Sequence, residues 1–160
     1  MKLKVTTKDD IIYTVIKKTF KRWPADKVYL TMAKVLAKRS TCLDKQVGCI
    51  LVSRDNKILA TGYNGAPSGF THCTDTGYCS KDFFGTAQRC LSAHAEQNAI
   101  LQCVKPDEVH TAYCTLSPCV TCIKMLLNTT CQRIVFIHEH QYIEPKLLWR
   151  GEWVQYDLNL

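Results

Sequence analysis

Long apolar runs are missing from this chain of 160 residues. Uninterrupted stretches such as residues 134–137 fall far short of the roughly 20 apolar residues a bilayer span requires, so no membrane segment is expected. Internal repeats and low-complexity segments are also missing, and with them any repeat architecture. No apolar core follows the polar opening MKLKVTTKDD, so a secretory signal is not expected and the protein is placed in the cytoplasm. Acidic residues are in deficit: 14 Asp and Glu stand against 21 Lys and Arg, a formal net charge of +7. That balance suits an anionic partner, a nucleotide phosphate or a nucleic acid, without choosing between them.

What is present reads as one globular domain over residues 1–160, long enough to bury a sizeable core. Hydrophobic residues make up 46% and charged residues 22%, ordinary for a soluble fold. Ten cysteines in a chain expected in a reducing compartment point to thiol or metal chemistry, because disulfides persist mainly in oxidising ones.

Along the chain, Thr7-x-x-Asp10 resembles a capping box, and Ile11, Ile12, Val15, Ile16 and Phe20 recur at helical spacing, so residues 8–20 are read as an amphipathic helix inside an N-terminal extension, residues 1–22. A second helix over residues 25–39 places Val28, Met32, Val35 and Leu36 on its buried face. Strands over 47–52 and 57–61 flank Arg54-Asp55-Asn56, a hairpin turn. Gly62 to Gly69 carries three glycines and a proline in eight residues and opens a loop-rich insert, residues 62–92, longer than an ordinary connection. Beyond it come a helix over 94–104, a strand over 111–116, a helix over 119–128, a strand over 133–138 and a last strand over 153–156. Helices alternating with strands after an initial hairpin give the fold class: α/β, a three-layer α/β/α domain around a central mixed sheet.

The chemistry concentrates at two helix starts. Cys119 and Cys122 stand three apart after Pro118, a spacing that sets two sulfurs on one metal, and His94 supplies a third ligand. Three protein ligands leave a tetrahedral position open, the mark of catalytic zinc, which lowers the pKa of a bound water to about 7. Helix dipoles at both starts favour thiolate over thiol. Glu96, two residues beyond His94, can face that open position without being a ligand and carry protons between water and substrate.

His94-Ala95-Glu96 with Pro118-Cys119-x-x-Cys122 is the signature of zinc deaminases. Together with Arg39-Ser40-Thr41-Cys42, Gln46-Val47-Gly48, the Gly62-Tyr63-Asn64-Gly65-Ala66-Pro67-Ser68-Gly69 loop and Thr115-Leu116-Ser117, it resembles the deoxycytidylate (dCMP) deaminase family with its cytidine deaminase-like fold. Free cytidine deaminases usually carry cysteine where this chain has His94, and tRNA adenosine deaminases lack the glycine loop.

The resemblance implies hydrolysis of dCMP to dUMP and ammonia in pyrimidine deoxynucleotide metabolism, with zinc on His94, Cys119 and Cys122 and Glu96 as the proton shuttle. It implies substrate contacts from Asn64 to the sugar hydroxyl, from the Ala95 N–H and Ser117 carbonyl to the pyrimidine edge, and stacking by Tyr113 or a nearby ring. It implies a second, structural zinc on Cys42, Cys73, Cys79 and Cys90, with His72 a competitor for one place, stapling the insert. It further implies a hexamer activated by dCTP and inhibited by dTTP, with Gly62, Tyr63, Gly65 and Lys105 near the effector.

Cys49, Cys103, Cys114 and Cys131 lie in or beside apolar runs and are read as core. His110, His138 and His140 have no assigned role, and Arg133 is weighed as a phosphate contact against a solvated surface cation. Two rival functions use parts of the same pattern. A nucleic-acid deaminase would bind oligonucleotides with steep salt dependence, and nucleic acid is the less favoured partner. A non-catalytic zinc module leaves Glu96 unexplained.

Overall fold

The computed structural model describes Lys8, residues 21–79, Asp82 and residues 90–158. The helix expected over 8–20 lies outside the described residues except for Lys8.

Helix α1, Ala25–Ala37, begins behind Pro24, whose carbonyl accepts the Val28 N–H at 3.2 Å. Of the face the apolar periodicity selects, only Leu36 packs against the core. Leu30, Ala33 and Ala37 are buried, while Val35 is 67% exposed and Val28 and Met32 are about half as open. Close approach to the sheet decides the matter. A Cβ on Gly48 would lie 2.0 Å from the Ala33 carbonyl oxygen, a fit that only small residues on the helix allow.

Strands β1, Gly48–Ser53, and β2, Ile58–Tyr63, form the expected hairpin. Asn56 takes a left-handed φ of 60° in the turn, a conformation asparagine tolerates well, and the Ser53 hydroxyl accepts the Lys57 N–H at 3.1 Å. β2 runs two residues past its expected end and takes Gly62 and Tyr63 out of the loop, pairing them with Cys49 and Gly48. The insert also holds an unforeseen single turn, α2, Cys73–Thr76, closed by Gly77 at φ 76°. Then follow α3, Ala95–Gln102, a 3-10 turn over Pro106–Glu108, β3, Val109–Leu116, α4, Val120–Leu126, β4, Arg133–His138, α5, Glu144–Leu148, and β5, Glu152–Gln155.

The strand order is β2-β1-β3-β4-β5, with β1 antiparallel to both neighbours and β3, β4 and β5 parallel. Alternation along the strands builds two cores. Leu51, Ala112, Cys114 and Phe136 pack with Ala99, Ile123 and Leu126 on one face. Ile50, Val52, Tyr113 and Val135 pack with Leu30 and Ala33 on the other. Both faces are covered, so the domain is the three-layer α/β/α fold around a mixed sheet. Every residue of β1 is buried, as a central strand between two helix layers must be. Among the described residues no helix is long and apolar enough to cross a membrane.

Candidate active site

α3 reaches the sheet through a glycine. A Cβ at Gly62 would lie 2.2 Å from the Ala95 carbonyl oxygen and 2.5 Å from the Ala99 nitrogen. Only a bare backbone lets the first turn of α3 sit on β2. Asn98 Nδ2 donates to the Tyr63 carbonyl at 2.8 Å, and Gly65 and Ala93 exchange two backbone hydrogen bonds, 3.1 and 2.9 Å. These contacts deliver His94 as the N-cap of α3, where its own N–H donates to Gln97 Oε1 at 2.7 Å.

β3 and β4 run parallel and end side by side, Leu116 opposite His138. Beyond β3 the chain turns directly into α4 with Cys119 as its N-cap. Two helix N-termini therefore converge outside the carboxyl ends of parallel strands, where open α/β sheets bind their ligands.

His94 Nδ1 stands 3.4 Å from Cys119 Sγ and 3.5 Å from Cys122 Sγ. Zinc bond lengths of about 2.05 Å to nitrogen and 2.3 Å to sulfur give a tetrahedral N···S edge of about 3.6 Å. The three side chains fit that metal. Among the described residues they are the one group of potential ligands whose atoms all lie within 4.8 Å of one another. The pKa of Cys119 is lowered to about 3, first by the hydrogen bond from Cys122 and then, against the cost of burial, by His94. Cys122 is pushed up by the same pairing and by burial.

Glu96 is 3% exposed, and burial raises its pKa above the usual carboxylate range. It lines a cleft of about 770 Å³ with His94, Cys119, Ala95, Ser117 and Asn64, a size typical of small-molecule sites. A buried carboxylate with a raised pKa, facing a metal site inside a cleft, has the placement of a general acid and base.

Several expected residues are placed differently. Tyr113 is on the opposite face of β3 from Cys114 and Leu116 and does not line the cleft. Its hydroxyl donates to Asp26 at 2.8 Å and its ring lies 5.0 Å from that of Tyr29. Strand alternation makes the reason plain: one residue's shift along β3 changes the face. Besides His94, the rings among the described residues that line the cleft are His140 and Tyr142, their centroids 4.8 Å apart and tilted by 30°. Asn64 reaches the cleft but uses its amide on the chain: Oδ1 accepts the Val47 N–H at 2.8 Å and Nδ2 donates to the Lys45 carbonyl at 2.7 Å.

Gly62, Tyr63 and Gly65 serve the packing of α3 and its approach. Lys105 lines a different cavity, near Arg54 and Lys57, and pairs with Glu108 at 2.6 Å. The structure does not bring it to the glycine loop. Arg133 is committed to Asp26 and Glu152. Cys42, Cys73 and Cys79 are buried and Cys90 half-buried, but no three of these thiols meet within the distance that unites His94, Cys119 and Cys122. Cys42 and Cys90 instead line the cleft. Cys49 and Cys114 are core residues, their sulfurs 3.7 Å apart.

Residues missed in the sequence are Lys45, His140 and Tyr142, all lining the cleft. Burial lowers the His140 pKa and the charge of Lys45 lowers it further. The available signal was the parallel pair: whatever follows β4 must lie beside whatever follows β3.

A family model described as the cytidine and deoxycytidylate deaminase zinc-binding region matches residues 24–138. The deoxycytidylate deaminase of Mycobacterium phage D29 is 34% identical over 125 residues, covering 71% of this chain and 94% of that protein. The Schizosaccharomyces pombe deoxycytidylate deaminase is 36% identical over 121 residues, or 69% of this chain. The chain spans only 36% of that relative's length and 39% of the Saccharomyces cerevisiae one. Among solved structures, the dCMP deaminase of cyanophage S-TIM5 in apo form superposes with a TM-score of 0.62 at 28% identity, covering 84% of this chain and 98% of that one.

Proposed function

Because the chain belongs to the cytidine and deoxycytidylate deaminase family, we propose that it hydrolyses dCMP to dUMP and ammonia. The observation that carries this reading is Glu96, buried in the same cleft as His94, Cys119 and Cys122 and two residues from the first of them. His94, Cys119 and Cys122 would hold the zinc. Bound there, zinc would lower the pKa of a water molecule to about 7.

Glu96 then does the proton work. Its carboxylate takes a proton from the attacking water and passes it to N3 of the cytosine ring. It takes the second proton as the C4 oxygen becomes a carbonyl and gives it to the departing amino group, which leaves as ammonia. The Ala95 N–H and the Ser117 carbonyl hold the pyrimidine edge, the His140 and Tyr142 rings flank the base, and Asn64 frames the sugar end.

Further parts of the reading rest on the family resemblance. A second, structural zinc would draw on Cys42, Cys73, Cys79 and Cys90. It is supported by the burial of the first three and by the Nδ1 of His72, buried without a hydrogen-bond partner among the described residues. A cytoplasmic hexamer with dCTP activating and dTTP inhibiting completes it.

The test is turnover of dCMP by purified protein, followed as loss of cytosine absorbance, with zinc counted per chain and Glu96→Ala as control. Turnover that vanishes in the variant supports the reading, and about two zincs per chain supports the second site. No loss of dCMP with or without dCTP, alongside deamination of a tRNA loop, overturns it in favour of a nucleic-acid substrate.

A further inference from the structure

Two buried polar side chains flank the cleft and spend their hydrogen bonds on the rim. Asn64, 7% exposed, grips the backbone on both sides of Gln46 through the Lys45 carbonyl and the Val47 N–H. Ser117, 3% exposed, accepts the His140 N–H on its hydroxyl at 2.7 Å, while its own N–H donates to the His138 carbonyl at 2.8 Å. A polar group buried this deeply must be satisfied locally, and here that need fixes two rim segments.

Both segments line the cleft. One presents Lys45 and the other His140 and Tyr142. Among the described residues Lys45 is the one lysine or arginine lining the cleft, and the ion pairs there leave it out. Asp44 shares the rim and offsets the lysine's charge at long range. An anion is therefore recognised here through direct contact with the ammonium group rather than through a distant field.

We propose that Lys45 reads the 5′-phosphate of the nucleotide, with Asn64 as the residue that positions it. This rests on the deaminase reading above and adds the element that separates a nucleotide from the corresponding nucleoside. Asn64 acts by aiming the backbone of residues 45–47, and Ser117 holds the other segment in register.

The experiment compares kcat/KM for dCMP and for deoxycytidine in the zinc-loaded wild type, Lys45→Ala and Lys45→Arg. Titration calorimetry of dUMP and deoxyuridine on the same proteins covers slow nucleoside turnover. A charge-assisted hydrogen bond to phosphate implies that Lys45→Ala lowers the dCMP to deoxycytidine selectivity about 10- to 100-fold. The loss falls mainly in KM and in the dUMP Kd, and Lys45→Arg recovers most of it. Lys45 is exposed, so the variant keeps its fold and zinc content. An unchanged selectivity, or an equal loss for nucleotide and nucleoside, overturns the assignment while leaving the deaminase reading intact. Wild-type protein that turns over neither compound overturns that reading itself.

Discussion

Asp26 at the start of α1 and Arg133 at the start of β4 are joined by two hydrogen bonds of 2.8 Å each, across 107 positions of sequence. The pair is mostly buried, and Tyr113 adds a third contact to the same carboxylate. The Arg133 guanidinium holds the Asp26 carboxyl below its ordinary value against the opposing cost of burial, with help from Tyr113. A depressed carboxylate stabilises the fold above its unfolded pKa of 3.8, and that contribution is lost as pH falls through the lower folded value. Asp26→Asn should cost about 1.5–3 kcal/mol at pH 7 and flatten the acid limb of stability. Urea unfolding at pH 7 and in steps below pH 4 measures both.

Gly62→Ala places a methyl group against the backbone of α3, which cannot move without lifting the helix from β2. The expected cost is about 1–3 kcal/mol. Because His94 rides on the same helix start, zinc affinity should fall with it. Chelator competition alongside urea unfolding tests the linkage, and a stable variant with unaltered zinc binding would refute it.

Glu96→Ala and Cys119→Ala separate proton transfer from metal binding. The first should keep zinc and lose about 10²- to 10⁴-fold in kcat. The second should lose the zinc as well as the activity. Metal analysis of the two purified variants decides this without any reference to turnover.

Tyr113→Phe removes the hydroxyl bound to Asp26 and nothing from the cleft. Stability should drop by about 0.5–1.5 kcal/mol, with KM and kcat for dCMP at wild-type values. A selective rise in KM would mean that the hydroxyl acts on the substrate site as well as on Asp26.

Where the sequence pattern is chemical, it was legible. His94, Glu96, Cys119 and Cys122 are identifiable by type and spacing, and the structure brings the three ligands together. Strand and helix order followed from periodicity, with ends off by one to a few residues. What could not be read was packing geometry. The buried face of α1 was misassigned because Ala33 and Ala37 are chosen for smallness, a property hydrophobic periodicity does not register. Tyr113 fell on the wrong face because a residue's side of a strand is set by register with its neighbours. α5 was not among the expected elements, and Pro145 stands in its first turn, where proline is tolerated. Lys45, His140 and Tyr142 carry no motif. Only the apposition of segments after β3 and β4, and the grip of Asn64, bring them to one place.

β3 is the middle strand of the five, paired with β1 on one side and β4 on the other. The β1–β2 hairpin closes locally, over the short span between residues 48 and 63. By contrast, β1 pairs with β3 across some sixty positions, Cys49 opposite Cys114. Contacts of such separation form slowly, since the intervening chain must be ordered first. His94 belongs to the segment leading into β3, and Cys119 and Cys122 to the segment leaving it. The three ligands therefore gather only once β3 has docked between the hairpin and β4. Metal capture would then be a late event in folding, and a bound zinc would report a completed centre of the sheet rather than nucleate it.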